Sequence, residues 1–155
     1  MIVYTSGSTG KPKGCMLPNK AMAYRAFTQW QQFQLSEYPR VYCPLPLNHV
    51  GGMQIISLEC INFSGGVISR ELLGKLSALG NGRVCTCFGS TETCIGVVFS
   101  EPGLDLDTLS ISVGRPIRDD VRVVNEDGKP CHAGEIGEFQ VIPDYCMVGY
   151  FNRPD

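Results

Sequence analysis

Thr5-Ser6-Gly7-Ser8-Thr9-Gly10-Lys11-Pro12-Lys13-Gly14 follows directly on a short apolar run, Ile2–Thr5, that reads as a strand. Four hydroxyl residues, three glycines and two lysines after a strand make a concave loop rich in hydrogen-bond donors. Glycines let the backbone approach an anion, hydroxyls and N–H groups bond its oxygens, and Lys11 and Lys13 supply positive charge. It is not a Walker A loop, because the glycine six positions before Lys11 is absent and Pro12 follows the lysine. By composition alone the stretch would serve equally well as a flexible surface loop. The specific order of its residues shifts that balance.

Outward from this loop, short strands and helices alternate. A helix is expected from Asn19 to about Phe33, with Asn19 as N-cap and Met22, Ala26, Trp30 and Phe33 on its apolar face. Val41–Leu47 reads as a strand that Pro44 and Pro46 confine to an edge or extended segment. Ile55–Leu58 fits helix or strand equally. Ile61–Phe63 is a short strand, and Ser69 caps a helix through Leu79 with Leu72, Leu73, Leu76 and Leu79 as its stripe. Arg83–Phe88 is a strand delivering Gly89-Ser90-Thr91-Glu92 at its carboxyl end. From Ser110 the period becomes two. Val121–Val124 and Glu135–Ile142 flank Asn125–Pro130, where Asp127-Gly128 marks a turn. The expected fold is α/β: a sheet flanked by helices, followed by a β-rich segment.

A chain of 155 residues is long enough for one domain with its own core, and 43% apolar residues argue against disorder throughout. Net charge is −2 with mixed signs and no basic stripe, which speaks against a nucleic-acid partner. No stretch approaches the roughly 20 apolar residues that span a bilayer. The N-terminus turns polar too early for a signal peptide, so the cytoplasm is the expected location, or an organelle if a leader once preceded Met1. Eight cysteines are too few for a disulfide scaffold. Cys85-Thr86-Cys87 lies in a strand whose alternation argues against a shared ion, and no CxxC knuckle accompanies Cys94, Cys131 and His132. Reduced, mostly buried thiols are the expectation.

Tyr4–Gly14, YTSGSTGKPKG, closely resembles the phosphate loop of the adenylate-forming (AMP-binding) superfamily. That superfamily includes acyl-CoA synthetases, aryl-CoA ligases, peptide-synthetase adenylation domains and beetle luciferases. Three more stretches match in the family's order: Pro44–Gly52, Phe88–Glu92, and Gly134–Glu138 leading to Gly149–Pro154. The resemblance implies joining of a carboxylate to the α-phosphate of ATP, release of pyrophosphate, and transfer of the acyl group to CoA. It further implies that Ser6, Gly7, Ser8, Thr9, Gly10 and Lys11 hold the β- and γ-phosphates, with Thr5, Lys13 and Gly14 at the loop's ends. Thr91 would bond the α-phosphate, Glu92 would ligate Mg²⁺, and Gly65, Gly66, Phe88, Gly89 and Ser90 would line the adenine side. Phe88 stands where the family usually has tyrosine, which keeps stacking and loses a hydroxyl. His49 alone reads as a packed structural residue, but its motif puts it between nucleotide and acyl pockets. Gly149, Tyr150, Glu135 and Glu138 read as turn and strand residues.

By the same resemblance the chain is a partial large domain, with segments 1–58, 59–109 and 110–155. The family's N-terminal subdomain, several dozen residues near Leu58–Cys60, and the C-terminal lid with its catalytic lysine are expected to be missing. The implied partners are ATP and a small apolar carboxylic acid, with fatty and cinnamate-like acids both open. Such a chain would be incompetent for turnover. The alternative is a non-catalytic nucleotide-binding or interaction module, pairing with a full-length relative through an exposed sheet edge.

Overall fold

The computed structural model describes residues 1–5, 11–37, 60–79, 82–116 and 121–153. Strand β1 (Ile2–Thr5) pairs antiparallel with β2 (Lys13–Met16), and Thr5 lies opposite Lys13, so the two ends of the glycine-rich loop meet. At Gly14 a Cβ would come 2.9 Å from Ile2 Cγ2, so the exposed Ile2 side chain would have to give way. Ser6–Gly10 lie outside the described residues, as do the expected Val41–Leu47 and Ile55–Leu58 segments and His49.

Helix α1 (Asn19–Gln32) starts at the expected residue, but its N-cap is Pro18, not Asn19, and no side chain caps it. Its buried face also differs from the expected one. Ala21, Arg25, Thr28 and Gln29 face inward, whereas Trp30 and Phe27 stack on each other at 6.0 Å and are exposed. The cause is tertiary. Tyr24 stacks on Tyr145 with ring centroids 3.7 Å apart, and the Arg25 guanidinium lies over both rings at 5.5 and 5.9 Å. This aromatic–cation stack overrides the count of apolar residues.

A four-stranded sheet follows in the order β3-β4-β5-β6. Strand β3 (Ile61–Ser64) runs parallel to β4 (Val84–Ser90), and helix α2 (Arg70–Leu79) makes the crossover that a parallel pair needs. Strands β5 (Ile95–Phe99) and β6 (Arg115–Pro116) add antiparallel neighbours. Ser69 Oγ accepts from Leu72 N at 3.2 Å, the expected cap. Of the expected leucine stripe, Leu73 is buried and Leu76 packs beside it, while Leu72 and Leu79 are exposed.

Both faces of the sheet are covered. On one, Ile68, Leu73, Val84 and Leu109 form a cluster with helix α3 (Leu106–Ile111). On the other, Phe33 and Leu35 from the end of α1 pack on Cys60, Cys85, Cys87 and Phe99, with Phe33 and Phe99 edge-on at 5.7 Å. Cys85 and Cys87, two residues apart, therefore share one face rather than alternating between faces, a correction to the reading above. Five of the described cysteines, Cys15, Cys60, Cys85, Cys87 and Cys94, are buried thiols.

Strands β7 (Val121–Val124) and β8 (Glu138–Val141) form the expected hairpin, with Gly128 N donating to Asn125 O in its turn. The second strand is shorter than the predicted Glu135–Ile142. A turn at Ala133-Gly134, closed by Glu135 N donating to His132 O at 3.1 Å, precedes it, and residues 135–137 take no regular structure. Helix α3 occupies residues that the period-two reading from Ser110 partly covered; Asp105 caps it by accepting from Thr108 N at 2.8 Å. Among the described residues no helix is long and apolar enough to cross a membrane.

Candidate functional site

The carboxyl ends of β3 and β4 open onto a cavity of about 610 Å³. Its lining includes Gly65 and Gly66 just past β3, Phe88 and Gly89 at the end of β4, and Ser112 and Val113 beyond α3. Gly65 has φ +87°, a conformation that disfavours any side chain, and neither Gly65 nor Gly66 has an atom within 4 Å of where a Cβ would point. Two bare glycine backbones facing open space beside a half-exposed aromatic ring make a slot suited to a flat heterocycle. Phe139 of β8 meets the Phe88 ring edge-on at 5.4 Å and braces it from the hairpin. Four of the residues read from the sequence as adenine-lining thus come together in one place.

Beyond Gly89 the chain turns sharply through Ser90–Cys94. Thr93 Oγ1 accepts from Ser90 N at 2.9 Å and bonds Ile95 O at 2.6 Å, and Cys94 N donates to Thr91 O at 3.1 Å. The reversal is tight: Cys94 and Ile95 take φ +56° and +118° without being glycine. This turn carries Thr91 and Glu92, two and three residues beyond Gly89 of the cavity wall. The neighbouring Cys94, Ile95 and Val97 are buried in the core.

Glu92 is half-buried and held from several sides. Tyr150 Oη donates to its Oε1 at 2.8 Å, and Met147 N donates to its backbone carbonyl at 2.7 Å. Burial alone would raise the Glu92 carboxyl, but bonds from its own backbone N–H, Tyr150 and Ser90, together with the Lys13 charge, outweigh burial and hold it below the usual range. Correspondingly, the bond to Glu92 pushes the Tyr150 phenol up to about 12. Lys13 Nζ lies 5.2 Å from the Tyr150 ring centroid. The end of the phosphate-type loop and the acidic turn are therefore brought together by Tyr150, which the sequence reading had assigned to a turn or strand. No local pattern singles Tyr150 out, since its partner lies 58 residues away.

The turn offers the Glu92 carboxylate with the Ser90 hydroxyl bonded to it, while Thr93 Oγ1 is taken up by Ser90 and Ile95 within the turn. Hard oxygen donors of this kind fit a magnesium ion. Thr5, Lys13 and Gly14 sit at the paired ends of the β1–β2 hairpin, and Lys11 is exposed just beyond the undescribed loop residues. The candidate residues fall into two groups: the cavity at the carboxyl ends of β3 and β4, and the Lys13–Tyr150–Glu92 corner.

The chain belongs to the AMP-binding enzyme family, whose profile matches residues 1–57 and 54–151. It is 27% identical to tyrocidine synthase 1 of Brevibacillus parabrevis over 208 aligned positions, covering 99% of this chain and 19% of that protein. It is 22% identical to sulfoacetate–CoA ligase of Cupriavidus necator, covering 100% of this chain and 41% of that protein. Among solved structures, O-succinylbenzoate coenzyme A synthetase from Bacillus subtilis, in complex with ATP and magnesium ion, superposes with a TM-score of 0.79. That match has 24% identity and covers 98% of this chain and 42% of the other. The sheet and helices are thus part of the large domain of adenylate-forming enzymes, and the chain spans less than half the length of these relatives.

Proposed function

We propose that this chain carries the nucleotide-binding face of an ATP-dependent carboxylate–CoA ligase, binding Mg-ATP without completing turnover by itself. The observation that carries this reading is the convergence at the carboxyl ends of β3 and β4. There a slot suited to a flat base, lined by Gly65, Gly66, Phe88 and Gly89, is followed three residues beyond Gly89 by the half-buried Glu92, whose carboxyl is held below its usual range. Family membership and a relative solved with ATP and magnesium support it.

On this reading Phe88 stacks on the base and the glycine backbones line its edge. Ser6–Lys11, with Lys13, hold the β- and γ-phosphates, and Thr91 orients the α-phosphate toward the incoming carboxylate. Glu92 holds magnesium, and His49 marks the acyl side. Magnesium, when bound, offsets the repulsion between two anions that must meet.

The incompetence of the chain follows from its interior. Alignment to tyrocidine synthase 1 takes 208 positions against a chain of 155 residues, and the family profile matches in two separate pieces. We place the shortening between His49 and Gly65, where the family supplies strands and part of the acyl wall. Without that wall the carboxylate is not held in line with the α-phosphate, and orientation is worth many powers of ten in rate. The same shortening favours, as a second reading, a non-catalytic nucleotide-binding module that pairs with a full-length relative.

Mg-ATP titration combined with carboxylate-dependent ATP–pyrophosphate exchange tests the proposal. Saturable Mg-ATP binding without exchange is expected. Robust exchange, abolished by Lys11→Ala and by Glu92→Ala, would overturn the claim of incompetence, and absence of saturable binding would overturn the nucleotide reading.

A further inference from the structure

We propose that Tyr150 is a positioning residue that fixes the Glu92 carboxylate for the metal ion and ties it to the end of the phosphate loop. The inference rests on the reading of Glu92 as the magnesium ligand and goes beyond it. Its basis is the way the segment around Tyr150 is anchored. Val148 N donates to Met16 O at 2.8 Å, Met16 N to Gly149 O at 3.0 Å, and Phe151 N to Gly14 O at 2.7 Å. Residues 148–151 thereby run alongside β2, with Tyr150 bridged to Cys15. The strand that leaves the phosphate-type loop is thus the same strand that holds the backbone of Tyr150.

From that anchored backbone the side chain does two things. Its hydroxyl donates to Glu92 Oε1 at 2.8 Å, which together with the Ser90 and backbone bonds fixes the orientation of the carboxylate. Its ring receives the Lys13 ammonium at 5.2 Å, a cation–π contact that keeps Lys13 near the loop's end. The preceding residue but two, Met147, holds the Glu92 backbone through its N–H at 2.7 Å, so side chain and main chain of Glu92 are set from one segment. A group that orients a metal ligand in this way characteristically contributes 10–100-fold to metal affinity, on the order seen for outer-shell partners generally.

The test is Mn²⁺ binding to the full chain loaded with ATP, followed by electron paramagnetic resonance, beside ATP affinity in the absence of metal. Tyr150→Phe keeps the ring beneath Lys13 and the backbone bonds. It is expected to weaken Mn²⁺ binding about 10-fold and to leave metal-free ATP affinity unchanged. Replacing Tyr150 by p-aminophenylalanine, which restores a donor at the same place, is expected to recover the loss. Combining Tyr150→Phe with Glu92→Gln should add nothing to Glu92→Gln alone, because the tyrosine acts through the glutamate. Wild-type Mn²⁺ affinity in Tyr150→Phe, with affinity lost in Glu92→Gln, would overturn the positioning role and leave the Glu92 reading standing. Undiminished affinity in Glu92→Gln would overturn both. Equal loss of metal-free ATP binding in Tyr150→Phe, not recovered by the amino analogue, would assign Tyr150 to structure alone and likewise overturn the proposal.

Discussion

Gly89→Ala is expected to cost at least about 3 kcal/mol of folding stability, the upper end of what overpacking a well-filled site brings. A Cβ at Gly89 would lie 2.2 Å from Ile95 O, 2.6 Å from Gly96 Cα and 2.7 Å from Ile95 C, all backbone atoms of the partner strand. Side chains can move aside; a paired backbone cannot without breaking its ladder. The β4–β5 register already shifts between Phe88 and Gly89, so the strands have no slack at this point. Because β4 and β5 contribute to three core clusters, loss of their pairing reaches each of them. Gly66→Ala provides the contrast. It has open space and no strained backbone, and its stability should stay within about 0.5 kcal/mol of wild type. Urea unfolding followed by circular dichroism reads both. A Gly89→Ala protein as stable as wild type would mean that the strand end is not packed as described.

Glu92→Gln is expected to leave the fold intact and to weaken the magnesium-dependent part of ATP binding at least about 100-fold, beyond the range of an outer-shell change. The amide still accepts from Tyr150 and fills the same volume, so the turn Ser90–Cys94 keeps its shape. What it loses is the negative charge, which is held in place by the Tyr150 and Ser90 bonds and by Lys13. Neutral oxygen is a poor substitute for a carboxylate toward a small hard cation. Calorimetric titration with ATP, with and without magnesium, separates the two contributions. Equal loss in both conditions would indicate that Glu92 shapes the turn and does not serve the metal.

The features legible in the sequence were those written in local patterns. β1, β3, α2, β4 and the β7–β8 hairpin follow from apolar runs, a serine cap and an Asp-Gly turn. Gly65, Gly66, Phe88 and Gly89, singled out by motif order as expected adenine-side residues, line one cavity. What stayed hidden has physical reasons. β5 begins one residue after Cys94 through a reversal made by Cys94 and Ile95, which carry positive φ without being glycine, so no residue signals the turn. β2, Lys13-Gly14-Cys15-Met16, is too short and mixed to show a period; its pairing comes from the loop that closes on it. The inward face of α1 is chosen by the Tyr24–Tyr145 stack and Arg25, partners more than a hundred residues apart in the chain. Tyr150 was hidden for the same reason: its meaning lies in Glu92 and Lys13, neither of them near it in sequence.

The most direct measurement is photolabelling of the full chain with 8-azido-ATP and magnesium, with the attachment sites mapped by mass spectrometry. Labelled peptides are predicted to come from residues 61–70 and 84–90, the two strand ends that wall the cavity, and ATP is predicted to suppress the labelling. Labelling that falls on the 121–141 hairpin, or that ATP does not compete away, would contradict a nucleotide site at the carboxyl ends of β3 and β4.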